Sequence, residues 1–194
     1  NKGILTTQES FDLERQGFLG GSLELIESQS VSAVTGLEFT AIKEDVYDLH
    51  LLTYNSVHTT SNTSNTDYRL RFSTNGGSSF IASGYDRAFI SGQAGSFVEN
   101  RSTNNTELFL TFTSDNATNN ANASGYAYLY NLGNSAKFSY QSFQSSSRIN
   151  NTTTIIFYGG GVYDQANTVN ALGISTSTGF NMDGKFELFG VKKI

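Results

Sequence analysis

The sequence predicts an all-β chain, an antiparallel two-sheet β-sandwich of jelly-roll-like type with a short N-terminal arm. Three observations carry that expectation. From Leu23 onward apolar residues recur with a period of two, the period of a strand. The segments between them are rich in Ser, Thr, Asn and Gly, whose side chains bond their own backbone and favour turns. No amphipathic segment with a period of 3.6 and helical length interrupts the series.

Element by element, the chain opens with Thr6 and Glu9 at capping-box spacing, which predicts one or two helical turns through Phe11 and Leu13, ending near Gly17. Gly20-Gly21 then breaks the chain. Residues 1–22 hold too few apolar groups for a core of their own, so they read as an arm that docks elsewhere through Phe11, Leu13 and Phe18. The alternative is an unstructured lead-in. Residues 23–194 form the sandwich, with no composition shift to mark a second domain.

About ten strands are expected within it. Leu37, Phe39 and Ala41 alternate with Glu38 and Thr40, and Tyr47, Leu49 and Leu51 alternate with Asp48 and His50. Tyr68, Leu70 and Phe72 alternate with Arg69 and Arg71, while Leu108, Leu110 and Phe112 share one face. Tyr126, Tyr128 and Tyr130 share another, backed by Ala127 and Leu129. Phe138 with Tyr140, Ile155 with Phe157, Leu172 with Ile174 and Phe186 with Leu188 complete the set. Ser73-Thr74-Asn75-Gly76-Gly77-Ser78 reads as a tight hairpin, because Asn-Gly tolerates the positive φ of primed turns. Gly159-Gly160-Gly161 reads as a bend or bulge at a strand end.

Composition removes several chemistries. Without Cys there is no disulfide framework, thiolate zinc site or cysteine nucleophile. A net charge of −5 argues against a surface that coats nucleic acid. No run of eighteen apolar residues exists, so no membrane-inserting helix is expected. Charged residues make up only 15% of the chain, and titratable groups are correspondingly scarce. A Ser-His-Asp triad around Asp48 and His50 can be drawn, but no nucleophile elbow accompanies it, and both residues read as the polar outer face of a half-buried strand. Glu24, Glu27, Glu38, Glu107 and Glu187 are scattered rather than paired. Asp164 and Asp115 stand in loops that fit no calcium-loop spacing, and the glycine run lacks the Lys-Ser/Thr sequel of a phosphate loop. No catalytic residue, metal site or cofactor is expected.

The tyrosine row is the feature that asks for a partner. With Ala127 and Leu129 inward, Tyr126, Tyr128 and Tyr130 stand outward as a subunit interface or a ligand platform. With the tyrosines inward they are core. Both assignments fit the alternation.

Three stretches carry a family resemblance. Leu37-Glu38-Phe39-Thr40-Ala41-Ile42 leads to Val46-Tyr47-Asp48-Leu49-His50-Leu51; Tyr68-Arg69-Leu70-Arg71-Phe72-Ser73-Thr74-Asn75-Gly76-Gly77-Ser78-Ser79-Phe80 follows; Phe186-Glu187-Leu188-Phe189-Gly190-Val191-Lys192-Lys193 closes the chain. In order and spacing they resemble virion structural domains of tailed phages, particularly marine ones. Asn75 and Phe189 stand where that family often has Asp and Tyr. The resemblance implies a non-enzymatic surface component of the virion, a capsid decoration, head or tail fibre or similar appendage, assembled in the host cytoplasm and attached through its arm. It implies other virion proteins as partners and a homo-oligomer, with a trimer favoured. The alternative is a receptor-binding or carbohydrate-binding module at a fibre tip, with a host-surface glycan as ligand.

Overall fold

The computed structural model describes residues 6, 8–9, 22–60, 66–113, 122–149, 153–177 and 179–192. They form twelve strands: β1 (Leu23–Val34), β2 (Gly36–Phe39), β3 (Leu49–Thr59), β4 (Thr66–Ser73), β5 (Tyr85–Gln93), β6 (Ser96–Asn105), β7 (Leu108–Thr113), β8 (Ala123–Tyr130), β9 (Ser139–Ile149), β10 (Thr153–Tyr163), β11 (Ala171–Thr176) and β12 (Met182–Val191). All pairings are antiparallel. One sheet has eight strands in the order β1-β12-β3-β8-β9-β10-β5-β6, and the other has four in the order β2-β11-β4-β7. The two-sheet antiparallel sandwich that the sequence predicts is therefore the architecture found.

The core lies between the sheets. Leu52 and Tyr54 on β3, Ala127 and Leu129 on β8, and Phe186 and Leu188 on β12 face Leu37 and Phe39 on β2, Tyr68, Leu70 and Phe72 on β4, and Leu172 and Ile174 on β11. Strand alternation sorts these residues: every second position drives burial, worth roughly 1.5–3 kcal/mol for each large apolar side chain.

The large sheet extends past the small one and wraps its edge strand β7. Phe109 and Phe112 of β7 meet Phe89, Phe143 and Phe157 of the large sheet, with Phe109 stacked on Phe89 at 4.4 Å between ring centroids. The β4–β7 pairing skips Leu110, which forms a bulge. Two side chains of the large sheet reach the successive carbonyls there: Tyr54 donates its hydroxyl to Leu110 O at 2.8 Å, and Gln141 donates Nε2 to Phe109 O at 2.9 Å. A buried backbone acceptor without a partner is costly, and these two bonds satisfy the bulged segment.

Several local expectations are corrected. The bulge breaks the single face expected for Leu108, Leu110 and Phe112, and Leu108, Phe109 and Leu110 are all buried. Ser73–Ser78 does form a tight turn, with Gly76 and Gly77 at φ of 69° and 88°, but it is no hairpin. It ends β4 in the small sheet, and the chain crosses to β5 in the large one. The three glycines sit inside β10, whose register to β5 and β9 runs unbroken from Ile155 to Tyr163. They permit close backbone approach instead: a Cβ on Gly161 would lie 2.5 Å from Leu108 Cδ2, and one on Gly160 would lie 2.6 Å from Gln141 O. The β5–β6 hairpin is absent from the predicted set because β6, Ser-Phe-Val-Glu-Asn-Arg-Ser-Thr-Asn-Asn, is exposed along nearly its whole length and shows no alternation.

Candidate functional site

Tyr126, Tyr128 and Tyr130 point away from the core, and Ala127 and Leu129 point into it. The structure thus decides between the two assignments that alternation left open. The row is braced. Tyr126 donates to Gln144 Oε1 at 3.1 Å, its direct neighbour on β9, and the Tyr130 hydroxyl lies 3.2 Å from Ser142 Oγ, so that ring leans across the sheet. Tyr126 and Tyr128 meet edge to face at 5.7 Å.

The row belongs to a broader surface, the outer face of the eight-stranded sheet. On its β1 side an apolar ladder runs through Leu25, Phe189, Leu51 and Tyr128 by direct cross-strand pairing. On its β6 side two neighbouring depressions share Ala88 and Arg101. The larger, about 700 Å³, is walled by Tyr140, Val162 and Asp86, with Gly160 in its floor. The smaller, about 310 Å³, is walled by Tyr158, Ile90 and Glu99. Tyr140 and Tyr158 are 46% and 47% exposed, more than any member of the β8 row. The floor is low because Ser142, Gly160 and Ala88 form one cross-strand ladder of small residues, ending in Arg101. Asp86 is held in place by the backbone amide of Asn104, which it accepts at 2.8 Å, where the β5–β6 register is irregular.

Tyr140 and Tyr158 are the residues sequence reasoning passes over as parts of strands. Their one visible signal is on β10, where Ile156 and Tyr158 alternate with buried Ile155 and Phe157, giving a strand that is apolar on both faces.

The drawable triad does not form. His50 is fully buried on the inner side of β3, its Nε2 donating to Ile42 O at 2.8 Å, whereas Asp48 is exposed and precedes the strand. The expected outer polar face of Asp48 and His50 is therefore wrong in phase: Leu49, Leu51 and Thr53 face outward. Burial lowers the His50 pKa, against the opposing pull of the Ile42 carbonyl. The acids stay apart. Glu107, nearly buried, is clasped by Arg69 and by Arg71, the latter at 2.6 Å. Burial pushes its carboxyl up, but the Arg71 hydrogen bond and the two guanidinium charges outweigh this and hold it below the usual range. Glu24 pairs with Lys43 and Lys192, and Glu187 with Lys185. Among the described residues no group of three or more His, Asp or Glu side chains is placed to hold a metal ion, and no helix is long and apolar enough to cross a membrane.

At the N-terminus the capping box forms: Glu9 Oε2 accepts from Thr6 N at 2.8 Å, and Thr6 Oγ1 accepts from Glu9 N at 3.2 Å. The docking residues Phe11, Leu13 and Phe18 lie outside the described residues.

No family model and no curated protein matches the chain. Among solved structures it shows a weak likeness to the CBM2 module of the evolved Dit of Lactobacillus casei BL23 phage J-1, with a TM-score of 0.25 and 8% identity over 82% of this chain and 70% of that one. A likeness of that degree carries no argument about what this chain does.

Proposed function

We propose that this chain is a non-enzymatic structural protein at the surface of a tailed-phage virion, built from associated copies of itself, with a trimer favoured. The carrying observation is the set of exposed apolar side chains Leu23, Leu25, Tyr126 and Tyr130 on the outer face of the large sheet, bridged by the ladder Leu25–Phe189–Leu51–Tyr128, in which Phe189 and Tyr128 are half-buried and Leu51 is covered by its neighbours. Contiguous apolar surface of this kind marks an interaction site, and repeated copies related by rotation cover it without any chemical cross-link. The motif order described above supplies the virion setting, and residues 1–22 supply the attachment. A second reading, glycan recognition at a fibre tip, is favoured by the two tyrosine-walled depressions beside the ladder.

Sedimentation velocity of the purified chain tests the assembly, and immunogold labelling of intact particles tests the setting. The expected result is a trimer that dissociates in the Leu25→Ser/Tyr128→Ser double variant, and label on the particle surface. A monomer at every concentration, or particles that neither bind the antibody nor contain the chain, would overturn the proposal.

A further inference from the structure

We propose that the paired depressions across β9, β10, β5 and β6 are a binding site for a neutral oligosaccharide, with pyranose rings against Tyr140 and Tyr158 and hydroxyls on Arg101, Asp86 and Glu99. This deepens the glycan-recognition reading and is independent of whether the chain sits on a virion.

The shape comes first. Tyr140 pairs with Val162, four residues along β10 from Tyr158, so the two rings are anchored about 14 Å apart across the sheet. That is the span of a short chain of linked sugars rather than of one sugar. Between them the surface drops to Gly160 and Ala88, and no side chain there can be enlarged without filling the trough.

The chemistry follows from what the walls offer. A tyrosine ring presents a negative face, which attracts the polarised C–H groups on one side of a pyranose and covers apolar area at little entropic cost. Hydroxyls both donate and accept, and they need partners of both kinds. Arg101 supplies donors, and the Asp86 and Glu99 carboxylates supply acceptors. Arg101 has no ion pair among the described residues, so its donors are available. Arg87 also lines the larger depression, so two cations stand against two carboxylates, and a balanced lining on a chain of net charge −5 gives no field that would draw an anionic ligand. A neutral polyhydroxylated chain fits this balance. The site is also partly set in advance, because the Asn104 amide holds Asp86 and the strand registers fix the backbone positions that carry both tyrosines.

The purified chain is applied to an array of neutral bacterial surface oligosaccharides, and each glycan it retains is titrated by calorimetry. The expected result is retention of at least one glycan, with affinity falling roughly tenfold in Tyr140→Ala and in Tyr158→Ala. Tyr140→Phe, which keeps the ring, retains binding. Ala88→Gln, an exposed position away from the core, abolishes it by filling the trough. Affinity changes less than about twofold between low and high salt, since a neutral ligand carries no charge whose attraction salt could screen. No retained glycan, retention unchanged in the Tyr140→Ala/Tyr158→Ala double variant and in Ala88→Gln, or affinity that collapses with salt would each overturn the proposal. So would self-association lost on Tyr158→Ala with no glycan bound, which would make this face a contact between copies. Circular dichroism of each variant separates loss of binding from loss of fold.

Discussion

Tyr54→Phe tests whether the two sheets are locked together at the β7 bulge. Tyr54 is 2% exposed and sits on β3, yet its hydroxyl ends 2.8 Å from the carbonyl of Leu110 in the other sheet. Phenylalanine keeps the ring and its packing and removes only the donor. The Leu110 carbonyl stays buried, so the cost is that of an unsatisfied acceptor, about 1–3 kcal/mol. Gln141→Leu does the same to Phe109 O through the bond at 2.9 Å, and is expected to cost about 1–2 kcal/mol because it also removes a buried amide. The two carbonyls are neighbours on one bulge, so the double variant should depart from additivity by roughly 0.5 kcal/mol or more. For a chain of this size Tyr54→Phe lowers Tm by about 2–12 °C. Urea denaturation reads the change as a shift in midpoint at constant slope. Tyr126→Phe is the control: it also removes a tyrosine hydroxyl bond, but at the surface, with an expected cost below about 0.5 kcal/mol. If Tyr54→Phe is no more destabilising than Tyr126→Phe, the bulge is not held by the facing sheet and the reasoning fails.

Two further predictions concern acid and the glycine run. His50 donates through Nε2, so a second proton would go to its buried Nδ1, for which no acceptor is found among the described residues. Its folded pKa is lowered, so the unfolded chain binds more protons and stability drops as pH falls below about 6.5. The folded pKa of Glu107 is also lowered; the stability it contributes is present above its ordinary range and is lost as pH falls through the folded value. Urea midpoints measured from neutral to acid pH should show both stages, and Glu107→Gln should remove the lower one; a flat profile would contradict both. Gly161→Ala should cost about 1–3 kcal/mol, since its Cβ would stand 2.5 Å from Leu108 Cδ2 and 2.7 Å from Asp86 O, and a thermal melt unchanged from the parent would show that the strands part freely.

The sequence by itself determined the fold class and the inner face of several strands. Tyr68, Leu70 and Phe72 alternate with charged residues, so only one face could be buried, and that face is the core. It left the Tyr126 row undecided, because Ala127 and Leu129 are as able to face the core as the tyrosines are, and alternation carries no sign when both faces are apolar. It misplaced β3, where a buried histidine takes a core position that its polarity disguises. It missed the β5–β6 hairpin, since an edge strand exposed on both faces needs no pattern. The paired depressions were beyond its reach for a different reason: Tyr140 and Tyr158 on β9 and β10 come beside Ala88 and Arg101 on β5 and β6 only through the β10–β5 pairing, which joins strands far apart in the chain, and register belongs to the assembled sheet. Local periodicity states which way a side chain points; only the tertiary structure states what stands beside it.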